Sequence, residues 1–230
     1  MATVLITGAN RGVGLAFART YAARGDQVIA LVRNAGAAPE LAALAGGKGA
    51  VQVLTADVTD EAALATAAKA TTSTVIDVVI CNAGIMSSRG GLAVAGHDAA
   101  EWARVLAANV TGPFLTARAF LPHLRKAKSG KLAFISSMMG SSTQASGTVL
   151  AYRASKAAVA NLGLNLSIEL KPSGIAVGIY HPGWVSSDMG GPSAPVTPQA
   201  SAEGLATRID KLSLATTGVF EDYLGKPYSF

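Results

Sequence analysis

Cysteine and histidine are scarce in this chain, and each shortage excludes a kind of site. The single cysteine, Cys81, cannot form an internal disulfide, which is typical of a protein in a reducing compartment. The three histidines, His97, His123 and His181, are far apart and have no cysteine pair beside them, so we expect no metal site. No apolar run reaches the length of a membrane span, and no signal-peptide pattern opens the chain. We therefore expect a cytoplasmic protein with no membrane partner.

Charged residues make up only 14% of the 230 residues, whereas hydrophobic residues make up 50%. This balance is ample for a large buried core and fits one α/β domain spanning residues 1–230. The formal net charge is +5, but the basic residues are scattered and cluster only at 125–128. A nucleic-acid-binding surface normally concentrates basic residues with aromatics, so we expect no nucleic-acid partner and a mild attraction for anionic ligands.

Short apolar, β-branched runs alternate with helical segments along the whole chain. This alternation predicts a Rossmann-type, doubly wound parallel sheet of about seven strands with helices on both faces. The predicted strands are Ala2–Thr7, Gln27–Val32, Val51–Thr55, Val75–Cys81, Lys131–Ile135, Ile175–Tyr180 and Gly218–Phe220. The predicted helices end near Arg24, Ala70, Asn109, Leu124, Leu170 and Lys211, with a disturbed stretch at 111–113.

A glycine turn, residues 8–14, lies between the first strand and the first helix. Glycines let a backbone approach a pyrophosphate closely, and a helix N-terminus offers free N–H groups and the positive end of the helix dipole. The turn therefore predicts a dinucleotide site. A tight turn without a ligand is the plainer alternative.

Arg33 follows the second strand at the position where an acidic residue would bind the adenosine ribose 2′-hydroxyl. An arginine there suits a 2′-phosphate, and Arg11 in the glycine turn could reach the same phosphate. These residues favour NADP(H) over NAD(H), although Arg33 as a solvated loop residue is the alternative. Asp57, after the third strand, could accept a hydrogen bond from the adenine amino group.

Tyr152 and Lys156 are four residues apart, so on a helix they lie on the same face. A nearby positive charge favours the phenolate, and this predicts a lowered pKa for Tyr152. A tyrosine tuned in this way can give or take a proton near neutral pH. A surface pair that happens to share a helix face is the alternative.

Taken together, these motifs resemble those of the short-chain dehydrogenase/reductases. The cofactor turn TGxxxGxG appears at residues 7–14, NAG at 82–84, a helix asparagine at Asn109, a strand-end serine at 136–137 and YxxxK at 152–156. The resemblance spans nearly the whole chain in the family's order. It is closest to the sniffer-like or C-factor-like carbonyl reductases, through 152–156, 183–185, 188–192 and Gly225-Lys226.

The resemblance implies four catalytic residues. Tyr152 would donate a proton, Ser137 would bind the same substrate oxygen, Lys156 would lower the pKa of Tyr152 and hold the nicotinamide ribose, and Asn109 would hold a water that links Lys156 to solvent. Ser136 remains a rival to Ser137, because the gap from Ser137 to Tyr152 is longer than is usual in the family. Asn109 as a helix C-cap and Ser137 as a strand-end cap are the alternatives.

The resemblance also implies a cofactor cleft. The nicotinamide would lie beside Pro182, Gly183 and Val185, with Ser187 in place of the family's threonine, and Val110 would flank the adenine. The implied cofactor-binding residues are Gly8, Asn10, Arg11, Gly12, Val13, Gly14, Arg33, Asp57, Val58, Asn82, Ala83, Gly84, Val110, Tyr152, Lys156, Pro182, Gly183, Val185 and Ser187.

The expected activity is NADPH-dependent reduction of a neutral ketone or aldehyde to an alcohol. Residues 182–198, the substrate loop, would surround an apolar pocket with Trp184 and several methionines, although these side chains could be plain core. A non-catalytic NADP-binding regulator and an alcohol dehydrogenase working in the oxidative direction are the alternatives. The resemblance implies a homodimer, with a tetramer as the alternative, paired through the helix that carries Tyr152 and the helix before it. The small residues expected to allow close pairing are Ala157, Ala158, Ala160 and Gly163.

Overall fold

The computed structural model of the protein describes residues 1–46 and 49–230. In that part of the chain, seven strands form one parallel sheet in the order β3-β2-β1-β4-β5-β6-β7. This order confirms the predicted Rossmann-type, doubly wound sheet. The strands are β1 (Thr3–Thr7), β2 (Gln27–Val32), β3 (Val51–Thr55), β4 (Val78–Cys81), β5 (Lys131–Ile135), β6 (Ala176–His181) and β7 (Val219–Asp222).

Helices connect the strands and cover both faces of the sheet. The turn Ala107–Thr111, in the helical stretch between β4 and β5, is π-helical and corresponds to the disturbed stretch that the sequence predicted slightly further along. The helices are α1 (Gly12–Ala23), α2 (Pro39–Ala42), α3 (Glu61–Ala70), α4 (Ala99–Leu106), α5 (Gly112–Leu124), α6 (Leu150–Leu170) and α7 (Pro198–Lys211). Across the described residues, none of these helices has both the length and the apolarity needed to cross a membrane.

The core has two layers, one on each face of the sheet. Along β1, Ile6 faces α1, α2 and α7, whereas Leu5 faces α3, α5 and α6. This alternation follows from the two-residue period of a strand. Because both faces are buried, the central strands are continuous apolar runs, and this is why the sequence showed them clearly.

Several element boundaries differ from the predicted ones. The fourth strand begins at Val78 instead of Val75, and just before it the carboxylate of Asp77 accepts a hydrogen bond from the Thr3 N–H (2.8 Å). The short helix α2 was not predicted. By contrast, the predicted bounds of β2, β3 and β5 and the predicted end of α3 agree with the structure.

The parallel arrangement determines where the site lies. The carboxyl ends of all seven strands lie at one edge of the sheet, and the glycine turn, Asn82, Ser137 and Pro182 each follow one of these ends. Ligands of open α/β sheets bind at this edge, beside the point where the strand order reverses. Here that point lies between β1 and β4.

Candidate active site and cofactor cleft

The glycine turn packs against the segment that follows β4. Thr7 Oγ1 accepts hydrogen bonds from the N–H groups of Asn82 and Ala83 (both 3.0 Å), and Asn82 Nδ2 donates to the Thr7 carbonyl (3.0 Å). A β-carbon on Gly14 would lie 2.2 Å from the Gly8 carbonyl oxygen, so a larger residue does not fit. The side chain of Asn82 therefore fixes the shape of the turn, and the glycines leave the backbone open to a close ligand.

The N-terminus of α1 faces the same edge. Among the described residues, no side chain caps this helix, and Arg11, the residue before it, has extended backbone. The first N–H groups of a helix have no intrahelical partner and attract anions. An uncapped 12-residue helix after a glycine turn therefore fits the pyrophosphate of a dinucleotide.

Arg11 forms an ion pair with Asp188 of the substrate loop, and both side chains are exposed. The sequence predicted a contact between Arg11 and the adenosine phosphate, but it did not predict this carboxylate partner. Exposed ion pairs contribute at most about 1 kcal/mol, so a phosphate can replace Asp188 as the partner of Arg11.

Arg33 and Asp57 lie together at the carboxyl ends of β2 and β3. Partial burial works against ionisation of Asp57, but hydrogen bonds from Thr59 and the charge of Arg33 hold its pKa below the ordinary value. The bonds from the Thr59 N–H (2.9 Å) and hydroxyl (2.8 Å) both end on Oδ1. Next along the chain, Val58 packs on Gly112 beside the π-helical turn that carries Val110.

Lys156 lies in the second turn of α6, on its buried face. Its Nζ donates a hydrogen bond to the Ile135 carbonyl (2.9 Å) and lies 5.5 Å from the centre of the Tyr152 ring. A β-carbon on Gly84 would lie 3.5 Å from Nζ, so the segment after β4 borders the same space. Burial lowers the pKa of Lys156 to about 8.

Tyr152 is 7% exposed, and burial raises the pKa of its phenol to about 12, while the Ser137 hydroxyl lowers it in part. The predicted direction of this pKa shift is therefore wrong for this structure. Spacing on a helix indicated the neighbouring charge, but it did not indicate that the phenol is withdrawn from water. Desolvation disfavours the charged phenolate and outweighs the other effects.

The two serines after β5 have different partners. The Ser136 hydroxyl donates to the main-chain carbonyl of Lys156 (2.8 Å), which ties β5 to α6. The Ser137 hydroxyl accepts from the Met139 N–H (3.1 Å) and is the one that acts on Tyr152. Ser137 is thus both a local cap and a neighbour of the phenol.

Asn109 is buried inside the π-helical turn and is not a helix C-cap. Its Oδ1 accepts from the Ile85 N–H (2.8 Å), and its Nδ2 donates to the Ile85 carbonyl and to Ser155 Oγ (both 2.9 Å). Ser155 in turn donates to the Tyr152 carbonyl (2.7 Å). The side-chain amide of Asn109 is therefore engaged by protein groups, and its predicted role in holding a water stays a prediction.

The substrate loop begins beside this cluster, directly after β6. Gly183 has a φ of +84°, and a β-carbon there would lie 2.9 Å from the Tyr223 ring. A β-carbon on Gly12 would lie 3.8 Å from that of Ser187, so the loop borders the glycine turn.

Trp184 of the substrate loop is 56% exposed, so the alternative that it is plain core is wrong. Pro182 and Val185 lie where β6 leaves the sheet, and Val185 is buried.

A protein-family comparison identifies the chain. The family model described as short chain dehydrogenase matches residues 2–196. The chain belongs to the short-chain dehydrogenase family.

Individual members of that family match over most of their length. The C-signal protein of Myxococcus xanthus is 39% identical over 153 residues, which cover 65% of this chain and 90% of that protein. The NADPH-bound carbonyl reductase from chicken fatty liver has a TM-score of 0.91 and 31% identity, covering 100% of this chain and 99% of that one. The carbonyl reductase Sniffer of D. melanogaster also has a TM-score of 0.91, with 30% identity and complete coverage of both chains. Both NADP-bound and NAD-bound proteins are among the matched structures.

The chain thus belongs to an oxidoreductase family that uses a nicotinamide cofactor, and its residues fit one. The uncapped N-terminus of α1, the glycines without room for a β-carbon and the cation at the end of β2 are the features that fit. Some residues that shape the cleft were not predicted. Thr7 opens the motif at residues 7–14 but was not predicted as a site residue, whereas Ile85 contributes only its backbone and gave no signal.

Proposed function

We propose that this protein is an NADPH-dependent carbonyl reductase that converts a neutral ketone or aldehyde to an alcohol, with Tyr152 as the general acid. The single observation that carries the proposal is the meeting of Tyr152, Ser137 and Lys156 at the carboxyl end of β5. A protein that only binds the cofactor has no need of these three groups together. This speaks against the non-catalytic alternative.

Each residue has a role that follows from its surroundings. Bound NADPH would supply the hydride to the carbonyl carbon of the substrate. Tyr152 gives its proton to the carbonyl oxygen of the substrate, and Ser137 donates a hydrogen bond to the same oxygen. Lys156 would hold the nicotinamide ribose hydroxyls, and its charge stabilises the phenolate that the proton transfer leaves. With a pKa of about 8, Lys156 can also exchange a proton with solvent near neutral pH.

The raised pKa of Tyr152 supports reduction as the working direction. A phenol with a pKa of about 12 is almost fully protonated at neutral pH, so it is ready to donate. Oxidation of an alcohol requires the phenolate as the base, and that form is scarce at neutral pH. The buried phenol therefore favours a reductase over an alcohol dehydrogenase.

The choice of NADPH over NADH rests on Arg33. It is exposed at the end of β2, where an acidic residue would favour NADH. Arg11, released from Asp188, would provide a second cation for the 2′-phosphate. Asp57 and Val58 would border the adenine, on the same side as Val110.

A neutral, apolar substrate is supported by the residues around the cleft. The substrate loop offers the exposed Trp184 and the half-buried Met189, and Met139 follows Ser137 by two residues. Arg89 donates to the Met189 carbonyl (3.3 Å) and so joins the loop after β4 to the substrate loop. Such a mixture of apolar side chains with few polar groups is typical of a pocket for small apolar ligands.

We also infer a homodimer that pairs through α6 and the helix before it, α5. Ala157 is exposed and Ala158 is half-buried on this helix, so both can contact a second copy. Ala160 and Gly163 face the protein's own sheet instead, since a β-carbon on Gly163 would lie 2.6 Å from Ile179. Light scattering of the purified protein would give a dimer mass, and a monomer mass would contradict the inference.

The proposed activity is tested by following NADPH absorbance with a panel of neutral ketones and aldehydes. Replacing Tyr152 by Phe removes the general acid, and kcat should fall by about 10²–10⁴-fold while NADPH still binds. Tyr21→Phe is the matched control, because Tyr21 is a buried tyrosine on the opposite face of the sheet. Cofactor binding without turnover of any carbonyl, or faster turnover of charged keto acids, would contradict the proposal.

A further inference from the structure

The helix that carries Tyr152 and Lys156 begins in a strained way. Val149, the residue before α6, has φ 48° and ψ 48°, a left-handed conformation that is unfavourable for a β-branched residue. Among the described residues it is the only residue other than glycine with positive φ. No side chain from the start of α6 itself caps the helix within the described structure. The start of this helix is therefore held by groups from elsewhere.

The segment after β4, residues 85–90, supplies those groups. Ser87 Oγ accepts a hydrogen bond from the Tyr152 N–H (3.2 Å) and donates to the Ser88 carbonyl (3.3 Å). The Gly90 carbonyl accepts from the Val149 N–H (3.0 Å). The Tyr152 N–H lies in the first turn of α6, where backbone donors have no intrahelical partner. Ser87 thus acts as the N-cap of a helix from which it is distant in sequence.

Two side chains, the half-buried Glu101 and the buried Asn109, hold this segment in place. Glu101 of α4 accepts from both the N–H (2.7 Å) and the hydroxyl (2.8 Å) of Ser88 through Oε1. These hydrogen bonds hold the pKa of Glu101 below its ordinary value, so the carboxylate stays charged and the bonds are strong ones. At the other end, Asn109 binds both backbone groups of Ile85. Ser87 is therefore fixed between two anchored residues.

We propose that Ser87 is a positioning residue for the reduction: it caps the backbone of Tyr152, and Glu101 holds Ser87 through Ser88. The cap fixes the first turn of α6, and with it the direction in which the phenol meets Ser137. The kinetic consequence rests on the proposed function, whereas the cap itself does not. A loss of the cap would leave Tyr152 present and protonated but less well oriented.

The test compares Ser87→Ala with Ser87→Thr, which keeps the hydroxyl. Ser167→Ala is the matched control, because Ser167 is a buried serine of the same helix whose hydroxyl donates to Leu164 (2.7 Å). In Ser87→Ala, amide hydrogen exchange at Tyr152, measured by NMR without cofactor, should accelerate about tenfold. The kcat should fall about tenfold while the Kd for NADPH is unchanged. Ser87→Thr should restore both values, and Ser167→Ala should change neither.

A second variant covers the case in which Ser87→Ala folds poorly. Glu101→Gln removes the charge but keeps the shape of the side chain, and should accelerate exchange at Tyr152 in the same direction by about threefold. If amide hydrogen exchange at Tyr152 were unchanged in both variants, Ser87 would not cap the Tyr152 N–H. Faster exchange with an unchanged kcat would overturn the positioning role. If the wild-type protein reduced no carbonyl, only the proposed function would fail, and the exchange data would still decide whether Ser87 caps Tyr152.

Discussion

Lys156 Nζ donates a hydrogen bond of 2.9 Å to the main-chain carbonyl oxygen of Ile135, the last residue of β5. The ammonium is thus held by the end of a strand and lies over the Tyr152 ring, 5.5 Å from its centre. A neutral carbonyl compensates only part of the cost of burying a charge, so the pKa of Lys156 lies near 8. Its charge is therefore present at neutral pH and is lost within the range of ordinary assays.

We predict that kcat falls as the pH rises through about 8, because Lys156 then loses the proton that stabilises the Tyr152 phenolate. Because the pKa of Lys156 is lowered to about 8, its side chain is fully charged well below pH 8 and uncharged well above it. Lys156→Arg keeps a positive charge throughout, so its kcat should be lower overall but flat across this range. A pH–rate profile of both proteins checks this, and an equal decline in the arginine variant would contradict it.

Arg33 should decide the cofactor preference. Removal of its charge in Arg33→Ala should raise the KM for NADPH by about 10–100-fold, the usual effect of losing a charged hydrogen bond to a phosphate. The KM for NADH, which lacks that phosphate, should change little. Arg125→Ala, an exposed arginine beyond the end of α5, serves as the control. Equal losses for both cofactors would show that Arg33 does not contact the phosphate.

Gly140 lies where β5 and α6 are tied together, and we predict that Gly140→Ala is destabilising. The new β-carbon would lie 2.6 Å from the Lys156 carbonyl group, which is rigid backbone. Overpacking of this kind costs roughly 1–3 kcal/mol, and kcat should also fall because Ser137 and Lys156 are pushed apart. In the control Gly36→Ala, the nearest atom is 3.3 Å away on the side chain of Asn34. Equal denaturant midpoints for the two variants would contradict the prediction.

His181 should make the fold sensitive to acid. Burial and the charge of Lys156 lower the pKa of His181 to about 4, with Asp222 acting in the opposite direction. The unfolded histidine titrates near 6.5, so between that pH and 4 the unfolded chain binds more protons and the free energy of unfolding falls by roughly 3 kcal/mol. His181→Asn should remove most of this loss in denaturant titrations across that range. Part of the pH dependence that remains in the variant should come from His123, because burial also lowers the pKa of that histidine. If the free energy of unfolding of the variant fell with pH as much as that of the wild type, His181 would not be responsible.

The strands and the order of the site residues could be predicted because they depend on local sequence. A buried apolar run such as 131–135 has few alternatives to a central strand, and parallel topology then brings Ser137 and Asn82 to one edge. Contacts between distant side chains could not be predicted in this way. Nothing in the sequence links Ser87 to Tyr152 or Arg11 to Asp188, since these pairs exist only after several elements have packed. The pKa of Tyr152 was wrongly predicted for the same reason, because burial depends on elements far away in the chain.

The left-handed Val149 sets a limit on engineering a more heat-resistant form of the protein. Asparagine or glycine at this position would relieve the strained backbone, but either would also remove a buried valine side chain, so the melting temperature should change little. The residue that strains the backbone also packs the entry to the helix that carries Tyr152, and this position therefore offers no simple route to thermal tolerance.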